Sequence, residues 1–448
     1  MRPICTVILV LVLATGAAHA ATRYVSTAGS DSGNACDVST APCRTIGQAV
    51  SAAASGDLIN IAGGKYVESI KIDSASPLIL TLQGGWDASF TTLDVTGNPT
   101  FWSGGKADRA LRITAYSNFS SKTITIDGIT FQKSSARTLD YDGDISGGAL
   151  LAESFSDATL KLTLEEVTFS KNKTTDDGGA LRLFSGDDSV LLVEIEECRF
   201  DGNKAGGEGA GIEADAGWAS SMKLEIWQTV FSGNKAKWGG GALDIEAYEG
   251  GTVSFYCERC VMQRNSASTG GGAIHGESMD SGTLSADLVN SVFTGNKAKA
   301  AGGAIWIESS MSAVAYPGLR NLTVTGNSAK GAGGGVHLSG TTLGGMQFYG
   351  LNDILWANKA REGADVALSG TYSGSLNYCD VGNALGAVVG GNNLSVDPML
   401  ADAAAGNVHL RAGSPMIDAG TCNSTPSTDF EGNPRPNGAG CDIGADEF

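Results

Sequence analysis

One asparagine recurs at Asn172, Asn203, Asn234, Asn265, Asn296, Asn327 and Asn358, and every step is 31 residues. A period held without a slip over so many repeats restricts the chain to architectures in which each repeat is one structural unit stacked on the next. Around each asparagine the same pattern returns. A bulky apolar residue stands three positions before it, and a Gly-Gly-Ala-Leu/Ile-like block follows six to nine positions after it. Examples are Phe169 and Asn172 with Gly178-Gly179-Ala180-Leu181, and Phe293 and Asn296 with Gly302-Gly303-Ala304-Ile305. The phase reaches back to Gly147-Gly148-Ala149-Leu150.

Inside a repeat the apolar residues alternate with period two, as in Leu243-Asp244-Ile245-Glu246 and Leu192-Val193-Glu194-Ile195-Glu196, which marks strands and not helices. Helical repeats are thereby excluded, and a propeller blade needs about 40 residues and four strands. What remains is a coil of three short strands, stacked on its neighbours at a strand spacing of ~4.8 Å. Stacking turns the period into columns. Phe169, Phe200, Phe231, Met262, Phe293, Val324 and Leu355 form one inward column, and Ile195, Ile226, Cys257, Leu288 and Leu319 another. The asparagines are expected at a corner, where stacked amides satisfy the turn. The glycine pairs are expected at the next corner, where positive φ and close backbone approach are required.

Glycine makes up 63 of 448 residues, 42% of the chain is hydrophobic and 17% charged, so there is apolar surface enough for a large core. Acids outnumber bases 48 to 30, a net charge of −18. That excess repels phosphate backbones and anionic lipid, which argues against a nucleic-acid partner and leaves cations, basic partners and neutral sugars. Residues 1–20 read as an export signal: Arg2, an apolar run over residues 4–14, and Ala18-His19-Ala20 as a cleavage site. No later stretch approaches the ~18 apolar residues of a membrane helix, so the mature chain is expected outside the cell or at its surface, without a transmembrane segment.

The GGA(I/L/V) and FxxN blocks resemble the repeats of polymorphic outer-membrane proteins and, more broadly, of bacterial right-handed parallel β-helix proteins of the pectate-lyase-like superfamily. The resemblance implies an all-β, right-handed parallel β-helix over residues 100–390, with residues 21–99 as the N-terminal cap and first coils. Tyr24-Val25-Ser26, Pro42-Cys43-Arg44-Thr45-Ile46-Gly47-Gln48 and Gly64-Lys65-Tyr66 are similar to the cap of exported β-helix proteins, polysaccharide lyases included. Thr45 and Gln48 read as a capping box for a short helix ended by Gly56, which would plug the open end of the stack. Residues 391–448 resemble the choice-of-anchor Q domain through Val396-Asp397-Pro398, Ser414-Pro415-Met416-Ile417-Asp418-Ala419-Gly420 and Asp442-Ile443-Gly444-Ala445-Asp446-Glu447. No anchoring signal follows in the sequence, so release or retention by a partner is expected.

An oxidising compartment favours local disulfides. Cys36 with Cys43 and Cys422 with Cys441 are expected to staple the two ends, and Cys257 with Cys260 to close across a corner. Cys198 and Cys260 lie two coils apart, ~9.6 Å, beyond the ~7 Å reach of a bridge, which leaves Cys198 and Cys379 as buried thiols.

The outward column after the glycine block carries Asp215, Glu246, Glu277 and Glu308 on consecutive coils, with Glu213, Asp244, His275, Trp306 and His337 two residues earlier. Like charges ~4.8 Å apart repel, and a bound cation would relieve them. An aromatic ring with two histidines beside the acids suits one wall of a carbohydrate groove, the alternative being a plain solvated acidic face. A second acidic cluster, Asp140-Tyr141-Asp142-Gly143-Asp144, places Asp140, Asp142 and Asp144 as calcium ligands, although the closing glutamate of an EF-hand is missing. No single lysine stands out as a lyase base, since Lys204, Lys235, Lys297 and Lys359 repeat with the ladder. Carboxylate pairs at hydrolase spacing occur in any such column. The reading is therefore an exported, non-catalytic binding or adhesive scaffold for a polysaccharide, cell-surface glycan or envelope material. A polysaccharide lyase or glycoside hydrolase on the acidic face is the alternative.

Overall fold

The computed structural model describes residues 20–106, 108–117, 120–140, 143, 145–341, 343–386 and 390–448. The export signal up to residue 19, and Asp142 and Asp144 of the acidic turn, lie outside the described residues.

Each circuit follows the period-two segments in order. A seven-residue strand (Val190–Glu196) turns sharply into a three-residue strand (Arg199–Asp201), passes the asparagine corner, and ends in a five-residue strand (Ile212–Ala216). The next circuit repeats this as Ser221–Trp227, Val230–Ser232 and Leu243–Ala247. Stacked, these strands make three parallel sheets of 12, 11 and 11 strands, with a small four-stranded sheet at the asparagine corner. The fold is a right-handed parallel β-helix. It begins at Thr22–Val25 and runs to Ala384–Leu385, so the segment expected to hold the cap and first coils pairs into the stack from its first strand.

The register matches the sequence columns. Phe169 pairs Phe200, Phe200 pairs Phe231, and Phe231 pairs Met262, with the Phe rings stacked at 4.7 Å and 11° and 9° between planes. Ile195, Ile226, Cys257, Leu288 and Leu319 line up in the same way. Similar apolar side chains repeated at the coil rise form one buried interior cluster along the stack.

The asparagine corner is a continuous amide chain. Asn203 donates from its backbone N–H and from Nδ2 to Asn234 Oδ1, both at 3.0 Å, and Asn234 does the same to Asn265 at 3.0 Å. Each Nδ2 also donates to a carbonyl of the preceding coil, as Asn234 to Phe200 O at 2.9 Å. The chain runs from Asn172 through Asn265, Asn296 and Asn327 to Asn358, where Asp365 Oδ1 accepts the last pair of bonds at 2.8 and 2.9 Å. The glycines of the next corner hold φ between +54° and +66° from Gly178 to Gly333, a region costly for any residue with a Cβ.

At the N-terminal end, the helix Ile46–Ala52 covers Ile59 and Ile61. Thr45 Oγ1 accepts from Gln48 N as expected, but the Gln48 amide donates to Asn34 O at 3.0 Å, and the helix stops before Gly56. The missing half of the cap comes from Glu68, whose carboxylate accepts from Ile46 N and Gly47 N, both at 2.9 Å. Disulfides join Cys36–Cys43, Cys257–Cys260 and Cys422–Cys441, and Cys198 and Cys379 are buried free thiols.

Residues beyond 394 do not extend the stack. They form one antiparallel pair, Leu400–Asp402 with Asn407–Leu410, and fold back along the sharp corner between the first and second sheets. That corner carries a second asparagine column: Asn290, Asn321 and Asn352, all at positive φ. Their Nδ2 atoms donate to Thr428 O, Gly444 O and Thr421 O at 2.5, 3.2 and 2.8 Å. Met416 and Ile443 pack on Ile354, and Val408 and Ala445 on Val292.

Replacing Asn234 by Ala leaves Asn203 N–H buried without its acceptor and removes the side-chain donor to Phe200 C=O, which keeps its place in the sheet ladder. One unpaired buried group costs about 1–3 kcal/mol. The exposed neighbour Lys235→Ala changes stability by no more than ~0.5 kcal/mol. Urea unfolding of the two variants, followed by circular dichroism, checks the contrast.

Candidate functional site

The five-residue strands turn alternate residues outward, so the acids picked from the sequence fall in two adjacent columns. Asp244 pairs Glu213 and His275, and Glu246 pairs Asp215 and Glu277. The columns continue through Trp306 and Glu308 to His337 and Ser339. The expected order is present, but the face is not an open acidic wall. Glu213, Asp215, Asp244 and His275 are 1%, 4%, 0% and 5% exposed, and Glu246, Glu277, Trp306, Glu308 and His337 are half-buried.

Glycines of the preceding corner make the roof. A Cβ on Gly239 would stand 2.5 Å from Asp244 Oδ2, and one on Gly209 would stand 2.3 Å from Glu213 Oε2. Only bare backbone fits over these carboxylates.

The buried charges are partly neutralised within their own columns. Arg182, one coil before Glu213, bonds Asp215 Oδ2 at 2.5 Å and lies 3.6 Å from Glu213 Oε1. His275 Nδ1 faces both Asp244 oxygens at 3.1 Å, and its Nε2 faces Glu308 Oε1 at 3.2 Å. Trp306 sits between the two histidine rings, 5.0 Å from His275 and stacked 5.9 Å from His337. It also bonds Ser339 Oγ through Nε1 at 3.3 Å. His337 Nε2 is 3.0 Å from Ser369 Oγ.

These partners do not balance the acids. Burial raises the carboxyls of Glu213 and Glu246 well above their usual range, and pushes Asp215 up to about 6 and Asp244 to about 7. Burial also lifts Glu277, with Glu308 adding to it. Burial alone would lower His275, but Asp244 and Glu308 outweigh it and hold the imidazolium well above its ordinary pKa. His337 is lowered by burial.

Two clusters bring carboxylate or imidazole atoms within 4.8 Å of one another: Glu208, Glu213, Asp244 and Glu246, and His275, Glu277 and Glu308. Asp140, the described member of the other acidic group, belongs to neither. Arg182 and Glu208 belong to the candidate site by geometry and were not picked out from the sequence. Arg182 stands 31 residues before Glu213, so extending the column by one period finds it. Glu208 occupies the place of Asp177 in the preceding coil and of Gly239 and Gly270 in later ones.

The family model of the Chlamydia polymorphic membrane protein (Chlamydia_PMP) repeat matches residues 166–182, 228–246 and 290–308. Each match spans the second-sheet strand, the asparagine corner and the glycine block. A solved rhamnogalacturonan lyase is similar over 85% of this chain and 90% of its own, at 13% identity and a TM-score of 0.37, too loose a likeness to bear on function. No curated protein matches the chain. No helix among the described residues is long and apolar enough to cross a membrane.

Raised carboxyl pKa values mean that between pH ~4 and ~7 the native state holds more protons than the unfolded chain, so stability falls as pH rises through that window. His275 acts with the same sign: its contribution is complete below the unfolded pKa of ~6.5 and lost as pH climbs through its raised folded value. The chelator-treated protein should therefore melt several degrees lower at pH 8 than at pH 5 by calorimetry, with a flatter slope in Glu246→Gln. A melting temperature that rises over this range would contradict the assignment.

Proposed function

We propose that the protein is an exported surface scaffold, without catalytic activity, that binds an extended anionic glycan along its asparagine corner. The repeat match supports the surface and adhesive part of this reading. One observation carries the ligand part: in a chain of net charge −18, the residues flanking the buried ladder form a basic strip.

The position after each asparagine holds Lys173, Lys204, Lys235, Ser266, Lys297, Ser328 and Lys359, joined coil to coil by parallel pairing or bridges. Two residues further on come Lys237, Ser268, Lys299, Lys330 and Arg361. All of these lysines and Arg361 are exposed, and among the described residues none has a carboxylate within ion-pair distance. From Lys235 onward the corner segments contain a single acid, Glu362.

The intervening alanines, Ala236, Ala267, Ala298 and Ala329, point inward and leave a concavity of about 460 Å³ with a small-residue floor and a lysine rim. It adjoins a larger one of about 980 Å³, bounded by Arg264, Lys297, Lys359 and the C-terminal segment at Ala403-Ala404. From Lys235 to Lys359, lysine alternates with serine, which sets cations ~9.6 Å apart along a straight line. A regular row of unpaired cations beside a shallow, small-lined trough fits a linear polymer bearing charge at intervals, and the local field acts within a Debye length of ~8–10 Å whatever the net charge.

The acidic face is less suited to a polymer, because Glu213 and Asp244 lie under glycine backbone and Asp215 is buried. A lyase or hydrolase there would have to work through the half-buried Glu246, Glu277 and Glu308.

The test is affinity for polyuronate and sulfated oligosaccharides against neutral glycans and single-stranded nucleic acid, at two salt concentrations. Binding of the acidic glycans should fall with salt, and Lys235→Glu with Lys297→Glu should weaken it by about tenfold or more, roughly 1.4 kcal/mol. Equal binding of nucleic acid, or undiminished binding by the double variant, would refute the glycan assignment. No reducing or unsaturated ends should accumulate on any bound glycan.

A further inference from the structure

We infer that Glu208, Glu213, Asp244 and Glu246 hold one calcium ion. Its four ligands are none of the basic-corner residues, although the depression at Glu208 borders Lys237, and the inference does not depend on the glycan reading.

The geometry admits a single ion. Ligand atoms from all four residues lie within 4.8 Å of one another. Calcium bonds oxygen at 2.3–2.6 Å, so oxygens about twice that distance apart can share one ion without rearrangement.

The second observation is an oxygen with nothing to do. Glu213 is 1% exposed, and its Oε2 has no hydrogen-bond partner. The neighbouring cations are already engaged: Arg182 with Asp215 and with the other oxygen of Glu213, and His275 between Asp244 and Glu308. Glu246, on the next coil, makes no ion pair among the described residues. A desolvated carboxylate oxygen left unpaired is among the costlier defects a fold can carry. A divalent cation in contact with Glu213 Oε2 removes it and also separates the stacked charges of Glu213 and Asp244.

The donor set decides the ion. Four carboxylates without thiolate suit a hard cation, and the mixture of buried strand residues with one corner residue tolerates the irregular coordination of calcium better than the strict octahedron of magnesium. Access is through Glu208. It is half-buried and lines an open depression of about 340 Å³ with Asp176, Asp177, Lys237 and Trp238. The acidic rim gathers cations, and Glu208 passes them beneath the glycine roof.

The neighbouring tryptophan supplies the readout. Chelator-treated full-length protein is titrated with terbium chloride while tryptophan is excited. Saturable luminescence at one ion per chain, displaced by calcium, is expected, with a rise in melting temperature on adding calcium. Glu208→Gln and Glu246→Gln should each weaken terbium binding about tenfold or more while leaving the far-ultraviolet circular dichroism unchanged. The combined variant Asp140→Asn, Asp142→Asn, Asp144→Asn should bind as the parent does. The proposal is overturned if the parent shows no saturable signal, which would mean that the buried carboxyls are neutralised by protons alone. It is equally overturned if the signal survives Glu208→Gln and Glu246→Gln, or if it disappears with the three aspartates.

Discussion

The amide chain at the asparagine corner is the interaction on which the rest of the helix depends. A parallel stack of strands has its backbone bonds satisfied along the sheets, but every corner exposes amides and carbonyls that must be paired inside a narrow prism. Asparagine solves this because one side chain carries both donor and acceptor. Each Oδ1 takes two N–H groups from one coil while each Nδ2 reaches a carbonyl of a neighbouring one. The solution works only if the next coil places an identical amide at the same height. That requirement locks the repeat at 31 residues, and the lock aligns everything else.

Alignment made most of the fold legible in the sequence. Phe200 over Phe231 and Ile226 over Cys257 follow from the period alone, as does the impossibility of joining Cys198 to Cys260. What stayed hidden breaks the period or acts across it. The C-terminal segment docks on Asn290, Asn321 and Asn352, a column also spaced by 31 residues, but these side chains bond irregular backbone far along the chain and no local pattern announces that. Glu68 completes the N-terminal helix cap from a different coil, whereas the sequence offered Gln48 only because it stands at the customary spacing. The acidic columns were read in correct register yet taken as open to solvent. Their burial comes from glycine backbone pressed onto them, and a glycine in sequence does not say what lies against its missing Cβ.

Net charge is a coarse guide for a related reason. Summed over the chain it argues against anionic partners, but a solenoid sorts charge by position within the repeat and not by abundance. Residues one and three places after the ladder asparagine gather lysine on one corner, and residues of the third-sheet strands gather carboxylates on the adjacent face. Two opposite fields, separated by a few residues of backbone in each coil, cannot be seen in one total.

Stacking like upon like is favourable for amides and phenyl rings and unfavourable for ions, so a periodic chain gains by breaking its own repeat where it buries charge. Three kinds of break are visible. On the basic corner, Ser266 and Ser328 double the lysine spacing beyond Lys235, while the exposed Lys173, Lys204 and Lys235 stack directly where water screens them. On the acidic face screening is unavailable, and the chain inserts opposite charge instead: Arg112 beside Glu153, Arg182 beside Asp215, His275 between Asp244 and Glu308. Between Arg182 and His275 neither device operates. There Glu213 and Asp244 stack directly, Glu246 follows Asp215, and Glu208, following Asp177 at the same repeat position, brings one more carboxylate in from the side. A fold that corrects like-charge contacts above and below, and leaves Glu208, Glu213, Asp244 and Glu246 together between them, has concentrated its uncompensated charge at one point. That is the arrangement expected when the missing positive charge arrives from solution.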